Sequence, residues 1–93
     1  MIDPDATVRK HERIAARVVE GKALVVVMDE KQLHRLNGVG TRVWELCDGR
    51  TVQAIADALT AEFRVDEETA LADVRGFVDE LVGLGALVLE DAA

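Results

Sequence analysis

Cysteine, proline and aromatic residues are scarce in this chain. Its 93 residues include one cysteine, one proline, one tryptophan and two phenylalanines, and tyrosine is absent. A single cysteine excludes an internal disulfide, so we interpret Cys47 as a small buried hydrophobe and not as a nucleophile. With so few aromatic rings, the core must be built from valine, leucine, isoleucine and alanine, which suits one domain of this length.

Long hydrophobic runs and a targeting segment are also missing. No apolar run approaches the roughly 20 residues that a membrane-spanning helix needs, and the amino terminus lacks a basic segment followed by an apolar one. We therefore expect a cytoplasmic protein with no membrane partner. Residues 1–10 are polar, contain the only proline and show no periodicity, which predicts a mobile tail. Residues 11–93 are predicted to form the domain.

Basic residues are too few to suit a nucleic-acid partner. The net charge is −7, from 18 acidic and 11 basic residues. From residue 51 onward only Arg64 and Arg75 are basic, so the second half of the chain presents an acidic surface. Proteins that bind nucleic acid gain affinity by placing lysine and arginine on phosphates. The charge distribution therefore argues against nucleic acid as a partner.

Residue patterns typical of catalytic or cofactor sites do not occur. The sequence has no H-x-x-x-H, C-x-x-C or G-x-x-x-x-G-K-[ST] spacing. Gly38 and Gly40 match two glycines of a dinucleotide fingerprint, but Val43 stands where the third is needed. We expect the carboxylates to lie on solvated helix faces. We therefore expect no catalytic residues, no metal and no cofactor, in a protein that is not an enzyme.

Three segments in the first 36 residues, two of them apolar, predict a small sheet. Residues 14–19 and 23–28 are separated by a turn around Gly21, and the second segment is apolar on both faces, as in a central strand. Residues 31–36 form a more polar third segment, the kind found at the edge of a sheet. The order predicts a three-stranded antiparallel meander.

Two short helices are predicted to follow the sheet. Asn37 can cap the first helix, Gly49 can end it in a left-handed conformation, and Thr51 can cap the second. We expect Trp44 on the flank of the first helix, against the sheet and the third helix, either as a core residue or in the wall of a peptide-binding groove, and do not include it in the candidate site. The apolar stripes comprise Val39, Val43, Leu46 and Cys47 in the first helix, and Val52, Ile55, Ala56, Leu59 and Phe63 in the second.

A third helix is predicted from Asp66, which can cap it, to Gly85, which can end it. Its apolar stripe comprises Leu71, Val74, Val78 and Leu81, widened by Phe77 and Leu84. Residues 86–89 suit either a short closing strand or an extended tail. The predicted fold class is α+β, a winged helix-turn-helix with a three-stranded antiparallel sheet followed by three helices.

One ordered set of residues resembles the PqqD family. An apolar strand leads into a helix with an aromatic near its middle, and a second helix follows: the positions are Leu36-Asn37, Trp44, Asp48-Gly49 and Thr51-Val52. The pattern continues through Ile55, Ala56, Leu59, Phe63, Asp73-Val74, Phe77, Leu81 and Gly85, so that the resemblance covers residues 13–90. The resemblance implies a RiPP recognition element, which binds the leader of a ribosomally made precursor peptide. It also implies a modifying enzyme as partner, such as a radical S-adenosylmethionine enzyme or a maturation protease.

The third predicted strand gives this resemblance a physical mechanism. An edge strand carries unpaired N–H and C=O groups to which an extended peptide can add, while side-chain pockets supply specificity. The resemblance places the leader between this strand and the third helix. The candidate peptide-binding residues are Gln32, Leu33, His34, Arg35 and Leu36 on the strand and Val74, Arg75, Phe77, Val78 and Leu81 on the helix.

Other interpretations of these residues and of the fold stay open at the level of sequence. Leu36, Val74, Val78 and Leu81 are equally consistent with the core, and Leu33, His34, Arg35 and Arg75 with solvated surface. A winged helix also suits a DNA-binding or regulatory protein, although the third helix here exposes mainly carboxylates where a recognition helix offers basic and amide side chains. A structural subunit that only scaffolds an enzyme is a third possibility.

Overall fold

Two small sheets and three helices make up the protein in a computed structural model that describes residues 2–28 and 31–90. Residues 29–30, where the sequence predicts a turn, and the last three residues of the predicted domain lie outside this description. The strands are β1 (Thr7–Lys10), β2 (Ile14–Val19), β3 (Lys22–Val27), β4 (Gln32–Arg35), β5 (Asp48–Thr51) and β6 (Leu87–Glu90). The helices are α1 (Gly38–Leu46), α2 (Val52–Glu62) and α3 (Glu67–Gly83).

The first sheet is the antiparallel meander that the sequence predicts, with strand order β2-β3-β4. On the central strand, Ala23, Val25 and Val27 are buried, whereas Leu24 and Val26 are half-buried. This alternation means that one face of the sheet covers the helices and the other faces outward. The prediction of a three-stranded antiparallel sheet with three helices is confirmed, and the arrangement is compatible with a winged helix-turn-helix.

A second antiparallel sheet, with strand order β5-β1-β6, corrects the prediction of a structureless tail. Its central strand is β1, which lies inside predicted tail residues 1–10 and pairs with both neighbours. Ala6 and Val8 are 0% exposed, so this segment contributes to the core. Arg9 also forms an ion pair of 2.6 Å with Glu90, the last residue of β6. Residues 7–10, which the sequence predicts as part of a mobile tail, therefore form the central strand of a sheet.

Side-chain caps start the three helices where the sequence predicts them. The side-chain oxygens of Asn37, Thr51 and Asp66 accept hydrogen bonds from backbone amides three residues further on. These bonds satisfy amides that have no partner within the helix. Gly85 follows α3 with a φ of +82°, and Gly49 has a φ of +103° but lies within β5.

The core is aliphatic, with one large aromatic. Trp44 is 4% exposed, and the ammonium of Lys10 lies 5.3 Å from the centre of its ring. Trp44 therefore packs beside β1, a neighbour that the sequence did not predict. Phe63 corrects the predicted stripe of α2, because it lies past the end of the helix and is 39% exposed. In the part of the chain that the structure describes, no helix is long and apolar enough to cross a membrane.

Candidate functional site

Strand β4 lies at an edge of the first sheet, where, among the described residues, it pairs with β3 alone. The amide of Leu36 donates a hydrogen bond of 2.9 Å to the carbonyl of Ala23 on β3. Hydrogen-bonded pairs alternate along an antiparallel ladder. The N–H and C=O groups of Leu33 and Arg35 consequently point away from β3. The edge thus offers two sets of backbone groups to an additional strand.

A groove of about 240 Å³ separates β4 from α3. We call it the strand groove. Five of the predicted binding residues line it: His34, Arg35, Leu36, Phe77 and Leu81. Apolar and polar side chains both line the strand groove: Leu36, Phe77, Leu81 and Leu84 are apolar, and His34, Arg35, Asn37 and Glu80 are polar.

Sequence reasoning missed four further residues of the strand groove, which are Asn37, Gly40, Glu80 and Leu84. Asn37 was identified as a cap, and Leu84 as part of an apolar stripe. The sequence predicts Glu80 as solvated surface. The signal that could have found Glu80 is its helical spacing, because it lies three residues after Phe77 and four before Leu84.

The other five candidates lie outside the strand groove. Val74 and Val78 are 0% exposed and belong to the core. The Nε–H of Arg75 donates a hydrogen bond of 3.1 Å to the carbonyl of Ile2, which ties α3 to the amino-terminal segment. Gln32 is exposed at the start of β4. The last of the five, Leu33, is described next.

Leu33 lies on the outward face of the sheet and is 57% exposed. It borders a shallow depression of about 200 Å³, together with Leu24 and Val26 of β3. Since the side chains of a strand alternate between its two faces, the outward face carries Leu33 and the groove face carries His34.

His34 has an unsatisfied group at the strand groove. Its Nε2 atom is buried and has no hydrogen-bond partner among the described residues. A buried polar atom without a partner costs about 1–3 kcal/mol. His34 therefore has a hydrogen-bonding atom that no described residue of the protein uses.

A second cavity, of about 370 Å³, lies between α1 and α3. We call it the helix cavity, and Val39, Val43, Asp73, Phe77 and Glu80 line it. Asn37 and Gly40 also line it, and it shares these two residues as well as Phe77 and Glu80 with the strand groove, so the two spaces meet at the Phe77 ring. In the part of the chain that the structure covers, no group of three or more His, Cys, Asp or Glu could hold a metal.

The comparison with protein families shows the family of this chain. The family model of PqqD, coenzyme PQQ synthesis protein D, matches residues 24–87. The chain belongs to the PqqD family. The matched residues run from β3 to the start of β6 and therefore include β4, α3 and both cavities. A comparison with curated proteins gave no match.

Two solved structures share the fold of this PqqD-family protein. TbiB1 in complex with the TbiA(beta) leader peptide is 26% identical and has a TM-score of 0.80, over 91% of this chain and 98% of that chain. A lasso peptide synthetase B1 complexed with the leader peptide has a TM-score of 0.77 at 21% identity, over 87% of this chain and 96% of that chain. At this lower identity, the second likeness shows the fold alone.

Cys47 of this PqqD-family protein lies outside both cavities. It is 1% exposed, and its thiol donates a hydrogen bond of 3.1 Å to the carbonyl of Val43. Burial raises the pKa of the Cys47 thiol to about 12, although the nearby Lys10 ammonium opposes this shift. A thiol with so high a pKa is a poor nucleophile at neutral pH.

Proposed function

We propose that this PqqD-family protein binds the leader segment of a ribosomally made precursor peptide and presents it to a modifying enzyme. The observation that carries the proposal is the position of the β4 edge beside the strand groove. Two structures with the same fold, TbiB1 and a lasso peptide synthetase B1, are complexes with leader peptides. The PqqD family model, which matches most of the chain, supports the same role.

The leader binds by adding a strand to β4. Its backbone pairs with the outward N–H and C=O groups of Leu33 and Arg35, and these bonds do not depend on the leader's sequence. Side chains on one face of the added strand enter the strand groove, toward Phe77 and Leu81. Those on the other face lie beside Leu33, on the outward face of the sheet. Specificity therefore depends on alternate residues of the leader.

The proposed role is binding and delivery, without catalysis by this chain. The enzyme that receives the leader is a radical S-adenosylmethionine enzyme, a maturation protease or another modifying enzyme, and the complex forms in the cytoplasm. No cofactor is needed for leader binding, because strand addition uses backbone hydrogen bonds and side-chain packing alone.

The surface of α3 favours a peptide over DNA. Four of its exposed residues are Glu67, Glu68, Asp73 and Asp79, and a recognition helix with these side chains repels phosphates. Its arginine, Arg75, is engaged with the carbonyl of Ile2. A DNA-binding role has no comparable support in the charge of this helix.

Calorimetry with a synthetic leader tests the proposal. The probe is a synthetic peptide with the leader sequence of the cognate precursor, and we expect a dissociation constant of about 1 μM or tighter, near −8 kcal/mol. The core segment of the same precursor is the matched control, for which we expect no binding. Equal binding of leader and core segments would contradict the proposal, as would a leader that does not bind.

A further inference from the structure

The helix cavity continues from the strand groove and has a distinct chemistry. Val39, Val43 and Phe77 are its apolar lining, and Val39 on the α1 side is 45% exposed. On the α3 side, Asp73, Phe77 and Glu80 are spaced four and three residues apart, so they share one face of the helix. The aromatic ring consequently lies between two carboxylates in the same cavity.

In the described part of the chain, neither carboxylate has a cation to pair with. Asp73 and Glu80 form no ion pair among the described residues. The nearest arginine on α1 is already engaged, because Arg42 Nε lies 2.9 Å from Glu62 Oε2. Arg35 lines the strand groove together with Glu80 but does not form an ion pair with it. No cation of residues 2–28 or 31–90 therefore forms an ion pair with either of the two carboxylates that line the cavity.

From this arrangement we infer that the helix cavity takes a lysine or arginine side chain of the leader peptide. The inference rests on the proposed function and identifies a second contact for the same ligand. The aliphatic stem of such a side chain packs on Val39 and Phe77, and its cationic head pairs with Asp73 or Glu80. A cation over an aromatic ring gains further electrostatic attraction. The strand groove and the helix cavity thus bind successive parts of one peptide.

The amino terminus of α1 opposes this charge preference only weakly. A helix amino terminus carries roughly half a positive charge, and α1 begins at Gly38 beside the cavity. Its first capped amide, that of Gly40, is already bonded to the Asn37 side chain at 2.7 Å. Two full negative charges on Asp73 and Glu80 exceed this partial positive charge, so a cation is favoured over an anion.

A double-mutant cycle on the leader and the protein tests the inference. Each lysine or arginine of the synthetic leader is replaced in turn by methionine, which keeps the stem and removes the charge. We expect one replacement to weaken binding to the wild-type protein about tenfold. The double variant Asp73→Asn with Glu80→Gln should lose a similar factor, and combining it with that replacement should cost little more than either change alone.

The matched control is the double variant Glu68→Gln with Asp79→Asn. It changes the net charge of the same helix equally, but neither residue lines the cavity. It should bind the leader like the wild type, and circular dichroism should show all variants folded. Wild-type affinity in the Asp73→Asn, Glu80→Gln variant would overturn the inference and leave the proposed function intact. A leader that fails to bind the wild-type protein overturns both.

Discussion

Gly40 of α1 packs against the aromatic ring of Phe77 on α3. A Cβ atom at Gly40 would lie 3.1 Å from Phe77 Cε2 and 3.1 Å from Asn37 Oδ1. The Asn37 oxygen is held in place as the cap of the helix. Because the ring borders both cavities, it is the group that can move. The shape of the proposed binding surface thus depends on the absence of a side chain at Gly40.

We expect Gly40→Ala to push the Phe77 ring into the proposed binding surface. The protein should stay folded, because alanine favours a helix, but leader affinity should fall about tenfold, or roughly 1.4 kcal/mol. Calorimetry measures the change. Gly38→Ala is the matched control, since a Cβ atom there meets nothing within 4 Å. Equal affinities of the two variants would show that the ring position does not matter.

Arg35→Pro is expected to block strand addition without unfolding the sheet. The proline removes an outward N–H group that takes no part in pairing with β3, and edge positions tolerate proline. Leader affinity should fall at least about tenfold. Leu33→Pro should act in the same way.

Two controls show whether a loss of affinity in Arg35→Pro comes from the missing N–H group, from the missing side chain or from a proline anywhere at the edge of the sheet. Arg35→Ala removes the side chain but keeps the N–H group. Ala16→Pro introduces proline at the opposite edge of the sheet, on β2, where by the same alternation the N–H group of Ala16 also points outward. If Ala16→Pro weakens leader binding as much as Arg35→Pro does, the site is not at β4.

Val8→Ala should destabilise the protein, although Val8 lies in a segment whose sequence shows no periodicity. Val8 is 0% exposed at the centre of the second sheet, so losing two methyl groups should cost about 2 kcal/mol. Urea unfolding measures the loss. Val18→Ala makes the same change at a residue that is 51% exposed and should cost less than about 0.5 kcal/mol. Equal losses would contradict the burial of β1.

Alkaline pH should lower the stability through Cys47. Its pKa is about 12 in the folded protein and 9.0 without the shift, so the unfolded chain releases this proton first. The contribution of the Cys47 thiol to the free energy of unfolding is therefore intact below about pH 9 and decreases as the pH rises toward 12. Cys47→Ala removes the thiol, and its free energy of unfolding should fall less steeply between pH 8 and 11. Urea titrations at each pH give the free energy of unfolding. If it falls equally steeply with pH in the two proteins, the raised pKa of Cys47 is contradicted.

Local patterns were sufficient for most secondary structure. The ends of β2, the caps at Asn37, Thr51 and Asp66 and the stop at Gly85 all depend on residues within a few positions of one another. The short range of these patterns also explains why the prediction for Phe63 was wrong. Its spacing continues the α2 stripe, but the helix ends one residue earlier and nothing in the local pattern marks that end.

The sequence predicted only some of the residues of the candidate site. Periodicity predicts that Val74, Phe77 and Val78 share an apolar side of α3, but it does not say which of them a neighbour covers. In the structure, Val74 and Val78 are covered completely, whereas Phe77 faces two cavities. The exposed Glu80 contributes to the site for the same reason, because α1 and β4 happen to lie beside it.

Local patterns were enough to predict the class of fold, the meander β2-β3-β4, the start of each helix and the resemblance to the PqqD family. Each of these depends on the spacing and chemistry of residues close together along the chain. The tertiary structure decided that residues 7–10 form the centre of a second sheet, because their partners β5 and β6 lie some 40 and 80 residues away. It also decided where the cavities lie, since a cavity is made by the packing of separate elements and leaves no signal in any one of them.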